Sequence, residues 1–184
     1  MTQIWPDEAK FEWWDSVKAE DGTVVRYEGF ERSLQALEEA CAAHAPIHGI
    51  VGFSQGGILA SLVGALSLQG KTTVVPQCLI LISTMKARDP KLGAALRPEA
   101  PLNIPTVHLI GEKDTAIPAE VSESLGACFQ GAITIKHPRG HQVPRLDEAQ
   151  WRSLHSVLGA VDPSRRFVKE IAPVDSEDEE ITVC

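Results

Sequence analysis

No apolar run in this 184-residue chain approaches the roughly 18 residues of a membrane-spanning helix, and its N-terminus lacks the basic-then-apolar layout of a secretion signal. Both absences point to a soluble, cytoplasmic protein with no membrane partner. Cysteine is scarce. Cys41, Cys78, Cys128 and Cys184 show no C-x-x-C spacing, which argues against a zinc site or a disulfide framework. The first three read as small core hydrophobes. Cys184 is the last residue, whereas a prenylation signal needs its cysteine fourth from the end, so it reads as an exposed thiol. Basic charge is also short. The formal charge is −8, and residues 170–184 hold six carboxylates with no Lys or Arg, leaving −2 on the rest. A nearly balanced remainder offers no basic face to neutralise phosphates, which argues against a nucleic-acid partner. Residues 162–184 read as a solvated, disordered acidic tail.

At 43% hydrophobic residues the chain can bury one core, and a single domain over 13–161 is expected, preceded by an irregular stub over 1–12. All of residues 1–28 read as irregular, carrying Trp5, Phe11, Trp13, Trp14 and Tyr27. Glu31 to Ala43 spaces Leu34, Leu37 and Cys41 as an amphipathic helix. Gln55 to Leu68 is apolar nearly all round and predicts a buried helix, with Gly70 available as its cap. Apolar strands at Ile47 to Phe53, Cys78 to Ser83, Thr106 to Gly111 and Ala132 to His137 alternate with these helices and with helical segments near Glu120 to Cys128 and Asp147 to Leu158. That alternation predicts an α/β fold, a three-layer sandwich around a mainly parallel sheet. Met85 to Pro105, with four prolines, reads as a long loop or short helix over the site.

The chemistry-bearing motif is Gly52-Phe53-Ser54-Gln55-Gly56, set between an apolar strand and an apolar helix. This is the strand–turn–helix context of a nucleophile elbow, in which a Cβ at either flanking glycine is expected to clash. G-x-S-x-G alone arises by chance in roughly one chain in twenty of this length. Two partners placed at strand ends raise its weight: Asp114 follows the strand Thr106 to Gly111, and His141 follows the strand that starts at Ala132. The order Ser, Asp, His is that of the α/β-hydrolase triad, and all three fall at one sheet edge. His141 would take the Ser54 proton, Asp114 would orient the ring, and the backbone N–H of Gln55 would face the oxyanion. Taken singly, Asp114 and His141 read as ordinary turn and loop residues; it is their joint placement that favours the triad. Glu112 is kept as a substitute acid, and Asp89 is a weaker one. His108 reads as a core histidine, and His137 lies four residues before the better-placed one.

Further motifs, taken in order, carry a family resemblance. These are Trp13-Trp14, Tyr27-Glu28-Gly29-Phe30 with Ser33-Leu34, the segment Gly49 to Gly57, Ile104 to His108, Gly111 to Asp114 with Ile117-Pro118, and His137 to Pro144. Together they resemble the FSH group of serine hydrolases within the α/β-hydrolase superfamily, over roughly residues 13–160. The resemblance implies a cofactor-independent, metal-free esterase or thioesterase acting on small carboxylic esters, with Ser54, Asp114 and His141 at the triad positions.

The departure lies at the front. Members of that group begin with a strand ending in His-Gly, whose loop gives a second oxyanion N–H. Here the only His-Gly, His48-Gly49, opens the strand that leads to Ser54, roughly 16 Å away at strand rise. A truncated α/β-hydrolase fold is therefore expected, as an isoform, an incomplete gene product or a chain completed by a partner. The edge beside Ile47 to Phe53 would be uncovered and open to dimerisation. Trp13 and Trp14 read as apolar anchors of an irregular segment in preference to walls of the acyl pocket. Because adjacent residues of an extended segment point opposite ways, at most one faces the site. Two competing functions are a catalytically impaired hydrolase-like binding or scaffold protein, and a nucleotide-binding module. The latter lacks the Lys-Ser/Thr of a phosphate loop and an acid ending the next strand.

Overall fold

The computed structural model describes residues 12–161. The acidic tail, Cys184 and residues 1–11 of the expected stub lie outside the described residues. Four parallel strands form the sheet in the order β3 (Gly49–Phe53), β4 (Cys78–Ile82), β5 (Thr106–Gly111) and β6 (Ile133–His137). Helices α1 (Phe30–Ala43), α2 (Gln55–Leu68), α3 (Pro90–Gly93), α4 (Ala119–Gly126) and α5 (Glu148–Val161) connect or follow them. The elements that begin this list, β1 (Asp15–Lys18) and β2 (Val24–Glu28), pair antiparallel in a separate two-stranded sheet.

Strand alternation sorts the core into two layers. Leu79 and Leu81 of β4 face one cluster with Leu59, Leu62 and Val63 of α2 and Leu125 of α4. Cys78 and Ile82 face the other, with Val107, Leu109, Ile135 and the α5 residues Leu154 and Val157. The result is the three-layer sandwich read from the sequence, with α5 across the sheet from α2 and α4. Leu62 and Val63 are fully buried, each worth about 1.5–3 kcal/mol of burial. Helix α2 ends as its sequence suggests: Gly70, at φ 65, lets its N–H reach Ser67 O at 3.0 Å and the Lys71 N–H reach Leu66 O at 2.9 Å. Among the described residues no helix is long and apolar enough to cross a membrane.

The expectation of irregular backbone through residue 28 is corrected. Asp21-Gly22 turns a β-hairpin: Gly22 adopts φ 84 and Asp21 Oδ1 accepts the Thr23 N–H at 2.8 Å. The hairpin holds one face of the first cluster, where Trp14 stacks on Tyr27 with centroids 4.7 Å apart and meets Phe30 edge-on at 5.8 Å. Trp14 is therefore an anchor, as read, whereas the same reading of Trp13 is corrected, since that residue is 42% exposed. Among the described residues β3 pairs only with β4. Val51 of that strand is 64% exposed.

His108 is a core histidine, as read: it is buried beside Phe129, and its Nε2 has no partner among the described residues. Burial pushes its pKa down to about 4. An unfolded chain takes up that proton near pH 6.5, so between the two values the unfolded state binds more protons and stability falls as pH falls. The cost at pH 4 is on the order of 3 kcal/mol. Burial also lowers His137, with Arg139 adding to the shift, and acts in the same direction. Urea melts of wild type and His108→Leu at pH 7 and pH 4.5 should show a markedly smaller acid loss in the variant. Equal losses would mean that His108 is not buried neutral.

Candidate active site

Ser54 caps α2 at φ 52, ψ −120, a conformation few non-glycine residues adopt and one that costs on the order of 1–3 kcal/mol. Its neighbours hold it there. The Ser54 N–H bonds to Ile82 O at 3.0 Å, which extends the sheet ladder. Its carbonyl accepts from Thr84 Oγ1 at 2.8 Å and from the Gly57 N–H at 3.0 Å. Thr84 is in turn fixed by Ser122 of α4, whose hydroxyl donates to Thr84 O at 2.7 Å. A Cβ on Gly52 would come within 2.4 Å of Gly56 O, so strand and helix meet backbone to backbone there. One sequence reading needs correction. The tight glycine on the helix side is Gly57, whose Cβ would lie 2.6 Å from Thr84 Cβ, whereas a Cβ on Gly56 would find Trp13 Nε1 at 3.4 Å and little else.

Asp114 and His141 arrive on two loops stitched together by backbone bonds from Glu112 N to His137 O at 2.9 Å and from Lys113 N to Arg139 O at 3.1 Å. The loops can approach because residue 111 is glycine; a Cβ there would lie 2.6 Å from Gly140 O. Asp114 is buried. Its Oδ1 accepts the N–H groups of Ala116 at 2.9 Å and Ile117 at 2.8 Å. Its Oδ2 lies 2.8 Å from His141 Nδ1, and His141 Nε2 lies 3.0 Å from Ser54 Oγ. Burial alone would raise the Asp114 carboxyl, but the bonds from Ile117, His141 and Ala116 outweigh it and hold the pKa below the usual value. The carboxylate is therefore ionised at neutral pH and fixes a proton on Nδ1, leaving Nε2 to face the serine. Phe53 lies against the His141 ring with centroids 4.9 Å apart.

Ser54, Asp114 and His141, drawn from three strand ends, thus form one hydrogen-bonded line. The alternatives read from the sequence take other places. Glu112 is exposed. Asp89 caps α3 through Lys91 N and Leu92 N and holds Tyr27 N at 2.9 Å. His137 is buried with neither ring nitrogen partnered among the described residues. The Gln55 N–H, first in α2, has no acceptor within the helix and sits at its positive end. Two contributions were not legible. Thr84 braces the elbow, and the Gln55 side chain bonds the backbone of both tryptophans: Oε1 accepts Trp13 N at 2.8 Å and Nε2 donates to Trp14 O at 2.9 Å. Among the described residues no group of three His, Cys, Asp or Glu side chains is placed to hold a metal ion.

The chain is 34% identical to Esterase OVCA2 of Bos taurus over 145 residues, covering 76% of this chain and 63% of that protein. It is 36% identical to Esterase CG5412 of Drosophila melanogaster over 116 residues, covering 63% and 41%. It therefore spans less than two thirds of the length of these relatives. Among solved structures, Zea mays acyl-protein thioesterase 2 superposes with a TM-score of 0.54 at 19% identity, covering 81% of this chain and 71% of that one. A putative yden-like hydrolase from Pectobacterium atrosepticum gives 0.53 at 14%, covering 71% and 70%. At such identities these two establish the shared α/β-hydrolase fold. The sequence profile described as "Serine hydrolase (FSH1)" matches residues 2–152. The chain belongs to this serine hydrolase family.

Proposed function

We propose that the protein hydrolyses a small carboxylic ester or thioester through an acyl-enzyme on Ser54. The observation that carries this reading is the continuous line Ser54 Oγ, His141 Nε2, His141 Nδ1, Asp114 Oδ2, with contacts of 3.0 and 2.8 Å. As Ser54 Oγ attacks the carbonyl carbon, its proton moves to Nε2, Asp114 stabilises the imidazolium, and the Gln55 N–H faces the oxyanion. Collapse of the tetrahedral species breaks the bond to the alcohol or thiol, which leaves with the proton from Nε2. Water then gives a proton to Nε2 and attacks the acyl carbon; the second collapse frees the acid and returns the proton to Ser54. A burst of 4-nitrophenol from 4-nitrophenyl acetate, with an acetyl group on Ser54 by tandem mass spectrometry, tests the reading. Turnover without an acetyl-protein would overturn the covalent step.

An impaired hydrolase is the second reading, and one observation favours it. Among the described residues no strand lies on the free side of β3, where the family resemblance puts the loop with the second oxyanion donor. One such donor is typically worth about 10² to 10³ in kcat. Joining a strand ending in His-Gly ahead of residue 1 should raise kcat by about that factor and, by covering β3, shift any dimer seen in sedimentation toward monomer. If the 184-residue protein is already monomeric and equally active, some residue in 1–30 must supply both the pairing and the donor.

A further inference from the structure

We infer that Trp13 forms one wall of the substrate site and that the Gln55 carboxamide is the positioning residue that holds it there; this rests on the serine-hydrolase reading above. Adjacent tryptophans divide their roles. Trp14 is 3% exposed, packed on Tyr27 and Phe30, whereas Trp13 is 42% exposed. A large aromatic ring left in water loses burial worth a few kcal/mol, so its place on the molecule needs a reason. That place is the elbow. Trp13 Nε1 lies 3.4 Å from where a Cβ on Gly56 would sit, so the indole is beside the first turn of α2, two residues from Ser54.

The carboxamide of Gln55 grips the backbone on both sides of Trp13. Oε1 accepts Trp13 N at 2.8 Å and Nε2 donates to Trp14 O at 2.9 Å, while the Ser33 hydroxyl donates to Trp13 O. One residue therefore presents the main-chain N–H that faces the oxyanion and, through its side chain, sets the position of the neighbouring wall. Phe53, against His141, is a second exposed apolar ring at the serine. An ester whose apolar part extends past the helix N-terminus would lie against Trp13, burying it only in the complex. Trp13 is then a specificity-determining residue whose contribution grows with the size of that apolar part.

The test uses two ester series, one varied in the acyl group with 4-nitrophenol leaving and one of acetates varied in the alcohol. Trp13→Ala should lower the kcat/KM ratio of the bulkiest ester to the smallest by about tenfold in at least one series. Trp13→Phe, which keeps an aromatic wall, should fall between. Gln55→Ala should lower the same ratio, and in Trp13→Ala/Gln55→Ala the ratio should be no lower than in Trp13→Ala alone. A ratio unchanged in both series for a well-folded Trp13→Ala would overturn the wall. Multiplicative effects in the double variant would overturn the positioning role of Gln55. A wild-type protein neither labelled by a fluorophosphonate nor active would overturn the hydrolase reading and this proposal with it. A labelled wild type with unchanged ratios overturns this proposal alone.

Discussion

Ser54→Ala and His141→Ala should each lower kcat toward ester substrates by up to about 10⁶, with the double variant hardly worse than either, because in the proposed mechanism nucleophile and base act as one unit. Asp114→Asn should retain the geometry but cost about 10⁴, since an amide in place of the ionised carboxylate favours the wrong imidazole tautomer. The ordering follows from the line of contacts, in which Asp114 reaches Ser54 only through His141. His137→Ala serves as the control. His137 is buried and neither of its ring nitrogens bonds the serine hydroxyl, so its loss should lower thermal stability and leave the rate largely intact. A silent His141→Ala with an inactive His137→Ala would mean that the wrong histidine has been placed in the site.

The second large effect is structural. Gly52→Ala forces a Cβ to within 2.4 Å of Gly56 O and 2.7 Å of Gly57 Cα, both backbone atoms that cannot step aside without opening the elbow. Overpacking of this kind costs about 1–3 kcal/mol, occasionally more. Here the strained Ser54 turn would also relax, so activity should be lost along with stability. Gly57→Ala meets the Thr84 side chain at 2.6 Å and should behave similarly, at lower cost if Thr84 rotates. Gly56→Ala, with only the Trp13 indole nearby among the described residues, should fold normally. Denaturant melts of the three variants beside their rates check the ranking. A benign Gly52→Ala with a damaging Gly56→Ala would invert the account of the elbow.

That ranking also marks where sequence reasoning reached its limit. The motif makes Gly52 and Gly56 look equivalent, but only coordinates reveal that Thr84, thirty residues on, closes against Gly57 and bonds the Ser54 carbonyl. Nothing local to Thr84 signals this. The hydrogen-bonded line of Ser54, His141 and Asp114 was legible because each member follows an apolar run, and in a parallel sheet every such run ends at the same edge. The β1–β2 hairpin was overlooked although its signal was present: Asp21-Gly22 between Val17 and Val24-Val25 is a turn dipeptide flanked by β-branched residues. The expectation that at most one of Trp13 and Trp14 faces the site followed from extended geometry alone. Which of the two would be buried did not, because that depends on Tyr27 and Phe30 standing on one side.

The central claim is that the Ser54 hydroxyl is activated by His141 and Asp114. Intact-mass analysis after brief exposure to a fluorophosphonate tests it most directly, since this probe reports an activated serine without requiring the natural substrate or rapid turnover. The account predicts one adduct per chain, located on Ser54 by peptide mapping, absent in Ser54→Ala and strongly slowed in His141→Ala. An unlabelled wild-type chain, or an adduct that persists in Ser54→Ala, would contradict it.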